Sequence, residues 1–274
     1  MPVQSARAAT PLSPVLLRET VGSIAVLTLN RSAARNSLSE GLIAELHGAL
    51  REIHDDKSVR ALVIAAVGPA FSAGHDMKEL TARRSDADRG RAYFATLMNA
   101  CSAMMQAIVQ LPKPVVAAVQ GVATAAGCQL VASCDLAVAS EAATFATPGV
   151  DIGLFCSTPM VALSRNVPRK RAMEMLLTGE PITAATARDI GLVNRVVAAG
   201  TERDAAIALA QKVALKSAYT IKLGKEAFYR QVEMNLADAY RYAAEVMTEN
   251  MMARDAEEGI GAFIEKRVPK WQDE

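Results

Sequence analysis

The spacing of apolar residues changes along this chain, and each spacing predicts a different element. VLLRETVGSIAVLTLN (15–30) is rich in β-branched residues and breaks near Val21-Gly22, which predicts two strands. Ser37 with Glu40 three residues on forms a capping box and predicts a helix start. Leu42, Ile43, Leu46, Leu50 and Ile53 then recur at the helical period, so one face of that helix belongs to a core. RALVIAAVG (60–68) and KPVVAAVQG (113–121) are nearly continuous apolar runs, as expected of strands covered on both faces. Between them a loop, FSAGHD, leads into a helical region around 89–110. A short helix follows in GVATAAGCQLVASCD (121–135), and CDLAVASE (134–141) predicts a further strand.

Alternating strands and helices predict an α/β fold with right-handed crossovers between parallel strands. From about residue 159 the pattern turns helical, in VPRKRAMEMLLTG, TAATARDIG, ERDAAIALAQKVA, AYTIKLGKEAFYRQ and LADAYRYAAEVMTENM. One strand-like piece, LVNRVV (192–197), interrupts these helices. The expected division is a disordered lead over 1–14, a core over 15–200 and a helical oligomerisation region over 201–274.

Composition narrows the function classes. With 30 basic against 29 acidic side chains, no net field favours nucleic acid or an anionic membrane. No uninterrupted apolar run approaches the roughly 18 residues of a spanning helix, and MPVQSARAATPLSP lacks the apolar core of a secretory signal. Cys101, Cys128, Cys134 and Cys156 show no C-x-x-C spacing, and His47, His54 and His75 form no metal pattern with them. Reduced, buried thiols in a cytosol-like compartment are expected, with the mitochondrial matrix as the alternative in a eukaryote.

The chemistry concentrates at two turns. VIAAVGPAFSAGHDMKEL (63–80) and VVAAVQGVATAAGCQLVA (115–132) each run from a buried strand through a Gly/Ala-rich turn into a helix. A helix N-terminus presents free N–H groups and partial positive charge. Two such turns side by side aim two backbone donors at one oxygen, and small residues let that oxygen reach the main chain.

FSAGHDMKEL and GVATAAGCQLVASCD resemble the two signature segments of the crotonase, or enoyl-CoA hydratase/isomerase, superfamily. TGEPITAATARDIGLVNRVV is similar to its next block and EGIGAFIEKRVPKW to its C-terminal helix. The resemblance spans about residues 15–270. It implies a spiral of ββα turns with a helical trimerisation region, assembled as a homotrimer or a dimer of trimers. It implies an acyl-CoA thioester ligand, a place in fatty acyl-CoA metabolism and no separate cofactor. The thioester oxygen would be held by the backbone N–H groups of His75 and Ala126. His75, Asp76, Met77 and Lys78 would line the acyl-CoA site. Lys78 would reach the nucleotide half of coenzyme A, with Phe263 and Lys266 contributed from a neighbouring subunit.

The resemblance also marks two departures. Where hydratases of the family carry glutamates, this chain has Gln129 and Gly149. An amide orients water but exchanges no proton at neutral pH, and Gly has no side chain. One acid–base group contributes about 10²–10⁴-fold, so ordinary hydration is expected to be slow or absent. Asp151 is the nearest carboxylate in sequence to the lost position; it serves either as a substitute acid–base or in local backbone hydrogen bonds. Cys156 and Ser157 stand where other members carry a catalytic Asp or Tyr, and with no neighbouring His they read as packing. Asp135, ending the signature helix, reads as structural. Two functions remain: an enzyme working through a thioester enolate, and a binding protein that holds acyl-CoA with little or no catalysis.

Overall fold

A computed structural model describes residues 13–274; the expected 1–14 lead lies outside them except for its last two residues. Strands β1 (Leu16–Val21) and β2 (Ile24–Leu29) form the expected hairpin, and helix α1 (Glu40–Asp55) follows. Three turns of a repeating unit come next. Each sends its first strand into a large sheet and its second into a small one. These pairs are β3 (Ala61–Ala66) with β4 (Ala70–Ser72), β5 (Val115–Val119) with β6 (Val122–Thr124), and β7 (Leu136–Ser140) with β8 (Thr144–Ala146). Helices α2 (Met77–Ala82) and α3 (Arg91–Gln110) complete the first turn, and α4 (Ala126–Ser133) the second. The third ends in α5 (Pro159–Asn166) and α6 (Arg169–Thr178). Then follow β9 (Ile182–Thr183), α7 (Ala184–Asp189), β10 (Arg195–Val197) and α8 (Glu202–Ala214). Helices α9 (Ala218–Gln231), α10 (Leu236–Met252) and α11 (Arg254–Glu265) close the chain.

The large sheet runs β1-β2-β3-β5-β7-β10 and the small one β4-β6-β8-β9. Only the β1–β2 and β8–β9 pairs are antiparallel. Period-two alternation assigns the large sheet's side chains to two cores. Leu27, Leu62, Ile64, Val115 and Ala117 face the interior of the spiral with α1 and α3. Ile24, Val26, Val63, Val116 and Val138 face Ala206, Ile207 and Ala210 of α8. The continuous apolar runs are thus strands covered on both sides. The 201–274 segment is accordingly divided: α8 packs on the large sheet, and only the helices after it stand outside.

Three expectations shift locally. The α1 cap is Ser39, whose hydroxyl accepts the Leu42 N–H at 3.2 Å. Ser37 cannot serve, because Leu38 bridges His75 and holds the chain extended there; its hydroxyl instead donates to Asp76 at 3.2 Å. FSAGHD begins as strand β4 and is not wholly a loop. Helix α3, with 20 residues and a mean hydropathy of 1.3, is long and apolar enough to cross a membrane by length and composition. Here Leu97, Cys101, Met104, Met105 and Ile108 bury its inner face in the core.

Asp135, just past α4, accepts the Val115 N–H at 2.7 Å, Lys225 Nζ at 2.7 Å and the Tyr229 hydroxyl at 2.9 Å. It ties α9 to the sheet, in keeping with its structural reading.

Candidate active site

Strands β4, β6 and β8 are parallel and end at one level: Ser72 registers with Ala123, and Thr124 with Ala146. The turns after them carry Gly74-His75, Ala125-Ala126 and Thr147-Pro148-Gly149. In open α/β sheets ligands bind outside such carboxyl ends.

The first two turns touch. A Cβ on Gly74 would lie 2.9 Å from Ala125 Cβ and 3.3 Å from the Ala126 nitrogen, and Gly74 has φ +85°. A Cβ on Gly127 would meet the Ser72 carbonyl oxygen at 2.2 Å, so α4 starts directly against the end of β4. Leu38 N–H donates to the Gly74 carbonyl at 2.7 Å, and Asp76 N–H to the Leu38 carbonyl at 3.3 Å. That parallel bridge turns the His75 N–H to the opposite side, where it meets no acceptor among the described residues. Ala125 donates to the Ala146 carbonyl at 2.9 Å and its own carbonyl accepts the Gln129 N–H at 3.0 Å. The Ala126 N–H, first in α4, also has no acceptor among the described residues. Ala125 reaches this arrangement with φ 51° and ψ −119°, backbone strain of a kind that costs about 1–3 kcal/mol for a residue with a Cβ.

The side chains around these donors are polar and unpartnered. His75 Nε2, Thr124 Oγ1, Gln129 Oε1 and Thr147 Oγ1 are buried with no hydrogen-bond partner among the described residues. Burial lowers the His75 pKa below its ordinary 6.5, because the imidazolium would lose its water. Asp76 behaves differently. Burial pushes its carboxyl up, yet Arg31 at 2.9 Å, Ser37 and the Lys78 N–H outweigh that and hold it below the ordinary value. Asp76 therefore caps α2 and fastens the turn. Met77 and Lys78 are exposed beside it. A groove of about 340 Å³ between α1 and α3, lined by Glu40, His47, Arg51 and Tyr93 among others, contains none of these residues.

The family model described as enoyl-CoA hydratase/isomerase matches residues 19–274. This chain belongs to the enoyl-CoA hydratase/isomerase family. Among solved structures, an enoyl-CoA hydratase of Mycobacterium smegmatis is 50% identical with a TM-score of 0.89, covering 94% of this chain and 99% of that one. Human enoyl-CoA hydratase domain-containing protein 3 is 44% identical with the same TM-score of 0.89, covering 94% and 100%. The Xenopus laevis protein described as enoyl-CoA hydratase domain-containing protein 3, mitochondrial, is 46% identical over 94% of this chain and 86% of its own. The expected crotonase spiral is therefore the observed fold.

Against that family frame, the third turn departs furthest from expectation. The space a side chain at Gly149 would enter is filled: a Cβ there would lie 2.9 Å from Cys156 Sγ, 2.9 Å from the Leu154 carbonyl oxygen and 3.2 Å from the Cys156 nitrogen. Cys156 and Cys128 are both buried; burial first, and the neighbouring Cys156 second, push the Cys128 thiol up to about 12. Burial raises Cys156 too, a backbone hydrogen bond from the 149 region opposing it. Both are packing thiols. Asp151 does not show the local backbone hydrogen bonds expected as one of its two readings. Its side chain makes no hydrogen bond with a described residue, and Oδ2 lies 3.0 Å from where a Gly179 Cβ would stand, at the end of α6. The 3-10 turn Pro148–Ile152 rotates it to that exposed side. Ser157 donates only to the Phe155 carbonyl, at 3.3 Å. Phe263 is 84% exposed on α11 and Lys266 caps that helix, so within one protomer neither joins the three turns. Sequence reasoning missed Thr124 and Thr147. The available signal was a hydroxyl residue at the carboxyl end of each of two short strands.

Proposed function

We propose that this protein binds an acyl-CoA thioester at the carboxyl edge of the small sheet, its carbonyl oxygen received by the His75 and Ala126 N–H groups. The observation carrying this reading is that pair of backbone donors, on turns in direct contact, each without an acceptor among the described residues. One such donor is worth about 10²–10³ in rate when charge develops on the oxygen. The reaction class is that of the family, passing through a thioester enolate. With Gln129 and Gly149 at the positions expected to carry glutamates, proton transfer has no carboxylate there, and crotonyl-CoA hydration is expected to be slow or absent. Cys156 filling the space beside Gly149 favours a second reading, an acyl-CoA-binding protein without turnover. The two are separated by assaying a panel of enoyl- and 3-hydroxyacyl-CoA esters for conversion.

Binding itself is tested by thermal shift. A ligand at a hundredfold excess over Kd stabilises the folded state by about 2.7 kcal/mol. No melting shift with any CoA ester at millimolar concentration overturns the proposal. We also propose assembly as a homotrimer or dimer of trimers through α9–α11, where Leu236, Tyr240, Met252 and Phe263 are each more than 70% exposed; apolar surface of this extent marks an interface. Sedimentation as a monomer at micromolar concentration would overturn that. The buried, unpaired cysteines suit a reducing compartment, the cytoplasm or the mitochondrial matrix.

A further inference from the structure

We propose that the trough between α1 and α3 is a second ligand site, separate from the three turns, that binds an unbranched fatty acid of medium length with its free carboxylate on Arg51 and His47. The trough measures about 340 Å³, within the range of small-molecule sites, about 300–1,000 Å³. Two helix faces build it. On α1, Glu40, Ala44, His47 and Arg51 recur at steps of three and four, forming one stripe beside the buried stripe of Leu42, Leu46 and Ile53. On α3, Tyr93, Thr96, Leu97 and Ala100 recur in the same way. The short side chains of Ala44 and Ala100 leave the space between the stripes open. Ile43 and Leu97, each 2% exposed, form its apolar floor.

The two ends differ in charge, and the difference orients the ligand. At the head, the Glu79 carboxylate accepts the Glu40 N–H at 2.9 Å. Arg83 lies over the Tyr93 ring there, 4.7 Å from its centre, so the acidic groups at this end have a cation of their own close by. At the tail, His47 and Arg51 make no hydrogen bond or ion pair with a described residue, and Arg51 is exposed. A guanidinium receives a carboxylate through two parallel N–H donors, and an imidazole supplies one more. A dianion such as phosphate would find a single permanent cation at this end, whereas one carboxylate matches it. From Ala44 to Arg51 the helix rises about 10 Å, at 1.5 Å per residue, which is room for a chain of medium length. The methylenes then run over Ile43 and Leu97 toward Tyr93, where leaving water favours binding.

The test is calorimetric titration of the wild type with octanoate, octanamide and benzoate, repeated in Arg51→Gln and Ala44→Phe. Octanoate is expected to saturate one site per chain. Arg51→Gln should weaken it at least about tenfold, the loss of a charge-assisted pair, and octanamide should bind the wild type more weakly by a similar factor. Ala44→Phe fills the trough and should remove binding. Both positions are exposed, and both variants should keep the wild-type melting temperature and any melting shift given by CoA esters. No binding of octanoate at millimolar concentration would overturn the proposal. So would octanoate binding that is unchanged in both variants and displaced by octanoyl-CoA, which would place it at the three turns instead. Benzoate binding as tightly as octanoate through the same Arg51 would overturn the unbranched chain.

Discussion

Helix α4 has a buried polar cluster at each end, and the two are built in opposite ways. Past its C-terminus, Asp135 is met by a backbone N–H, an ammonium and a phenol, all within 2.9 Å. In its N-terminal half, the Gln129 side chain meets no hydrogen-bond partner among the described residues, and His75 Nε2, Thr124 Oγ1 and Thr147 Oγ1 beside the same strand ends are equally unmet. Both clusters are withdrawn from solvent, the first around a charged pair and the second around neutral groups. What differs is whether the protein completes its own hydrogen bonds. A cluster that is complete holds the fold together, whereas an incomplete one costs stability until a ligand or water arrives.

The largest effect should come from breaking the complete cluster. Lys225 is 8% exposed and Asp135 16% exposed as side chains. Lys225→Met leaves the Asp135 carboxylate buried with only Tyr229 and the Val115 N–H. Removal of one partner from a buried ion pair costs about 3–5 kcal/mol, and urea unfolding should show a loss of that order. A loss below about 1 kcal/mol, the range of exposed pairs, would remove the contrast between the two ends.

Filling the third turn should come next. Gly149→Glu forces Cys156 and the Leu154 carbonyl apart, and overpacking of this kind costs about 1–3 kcal/mol. Even combined with Gln129→Glu it is expected not to install hydration of crotonyl-CoA, because the new carboxylate enters a place already occupied by the 154–156 loop. Hydration at rates typical of the family in that double variant would show that the loop yields easily and that the packing is incidental.

The incomplete cluster should respond with the opposite sign. Gln129→Met keeps the side chain's length and removes the unmet amide. In the absence of ligand, unfolding free energy is expected to rise by about 1 kcal/mol, toward the cost of one unsatisfied buried group. A loss of stability instead would mean that the amide is already completed in solution.

These contrasts explain what the sequence made legible. The α1 core face and the two-sided strands were readable because burial imposes a period on many residues at once. The paired turns were readable because close approach to main chain admits only small residues. Strands β4, β6 and β8 were not, since three residues are too few to show alternation; they are specified by pairing with one another. Ser37 reads as the cap in the sequence because the bridge from Leu38 to His75, which keeps that stretch extended, joins residues far apart in sequence. The same limit hid Cys156 beside Gly149 and turned Asp151 toward Gly179. The strain at Ala125 was invisible for a different reason: an alanine there gives no sign that its φ is positive.

The smallest expected effect is also the one that reads the polarity of the site most directly. Burial depresses the His75 pKa below 6.5 in the folded protein, while in the unfolded chain the imidazole is free to take up a proton at that value. As pH falls below about 6.5 the unfolded state binds a proton that the folded state refuses, so stability declines with acidification until the folded pKa is reached. Asp76 has the same sign in a lower window, since its folded carboxyl lies below 3.8 and its contribution is lost as pH falls from about 3.8 through that lower folded value. The two are therefore separable. His75→Asn, which does not titrate, should flatten the stability profile just below about pH 6.5 while leaving the steeper acid limb in place. An acyl-CoA ester at saturating concentration sharpens the result. If the ligand seals the turn that carries His75, the imidazole becomes harder still to protonate, and the ester's stabilising effect should weaken as pH falls through the lowered folded pKa of His75, below that first window, in the wild type more than in His75→Asn. Profiles with and without ester that differ by a constant offset at every pH would place the imidazole outside the ligand's reach, leaving His75 to act through its backbone N–H alone.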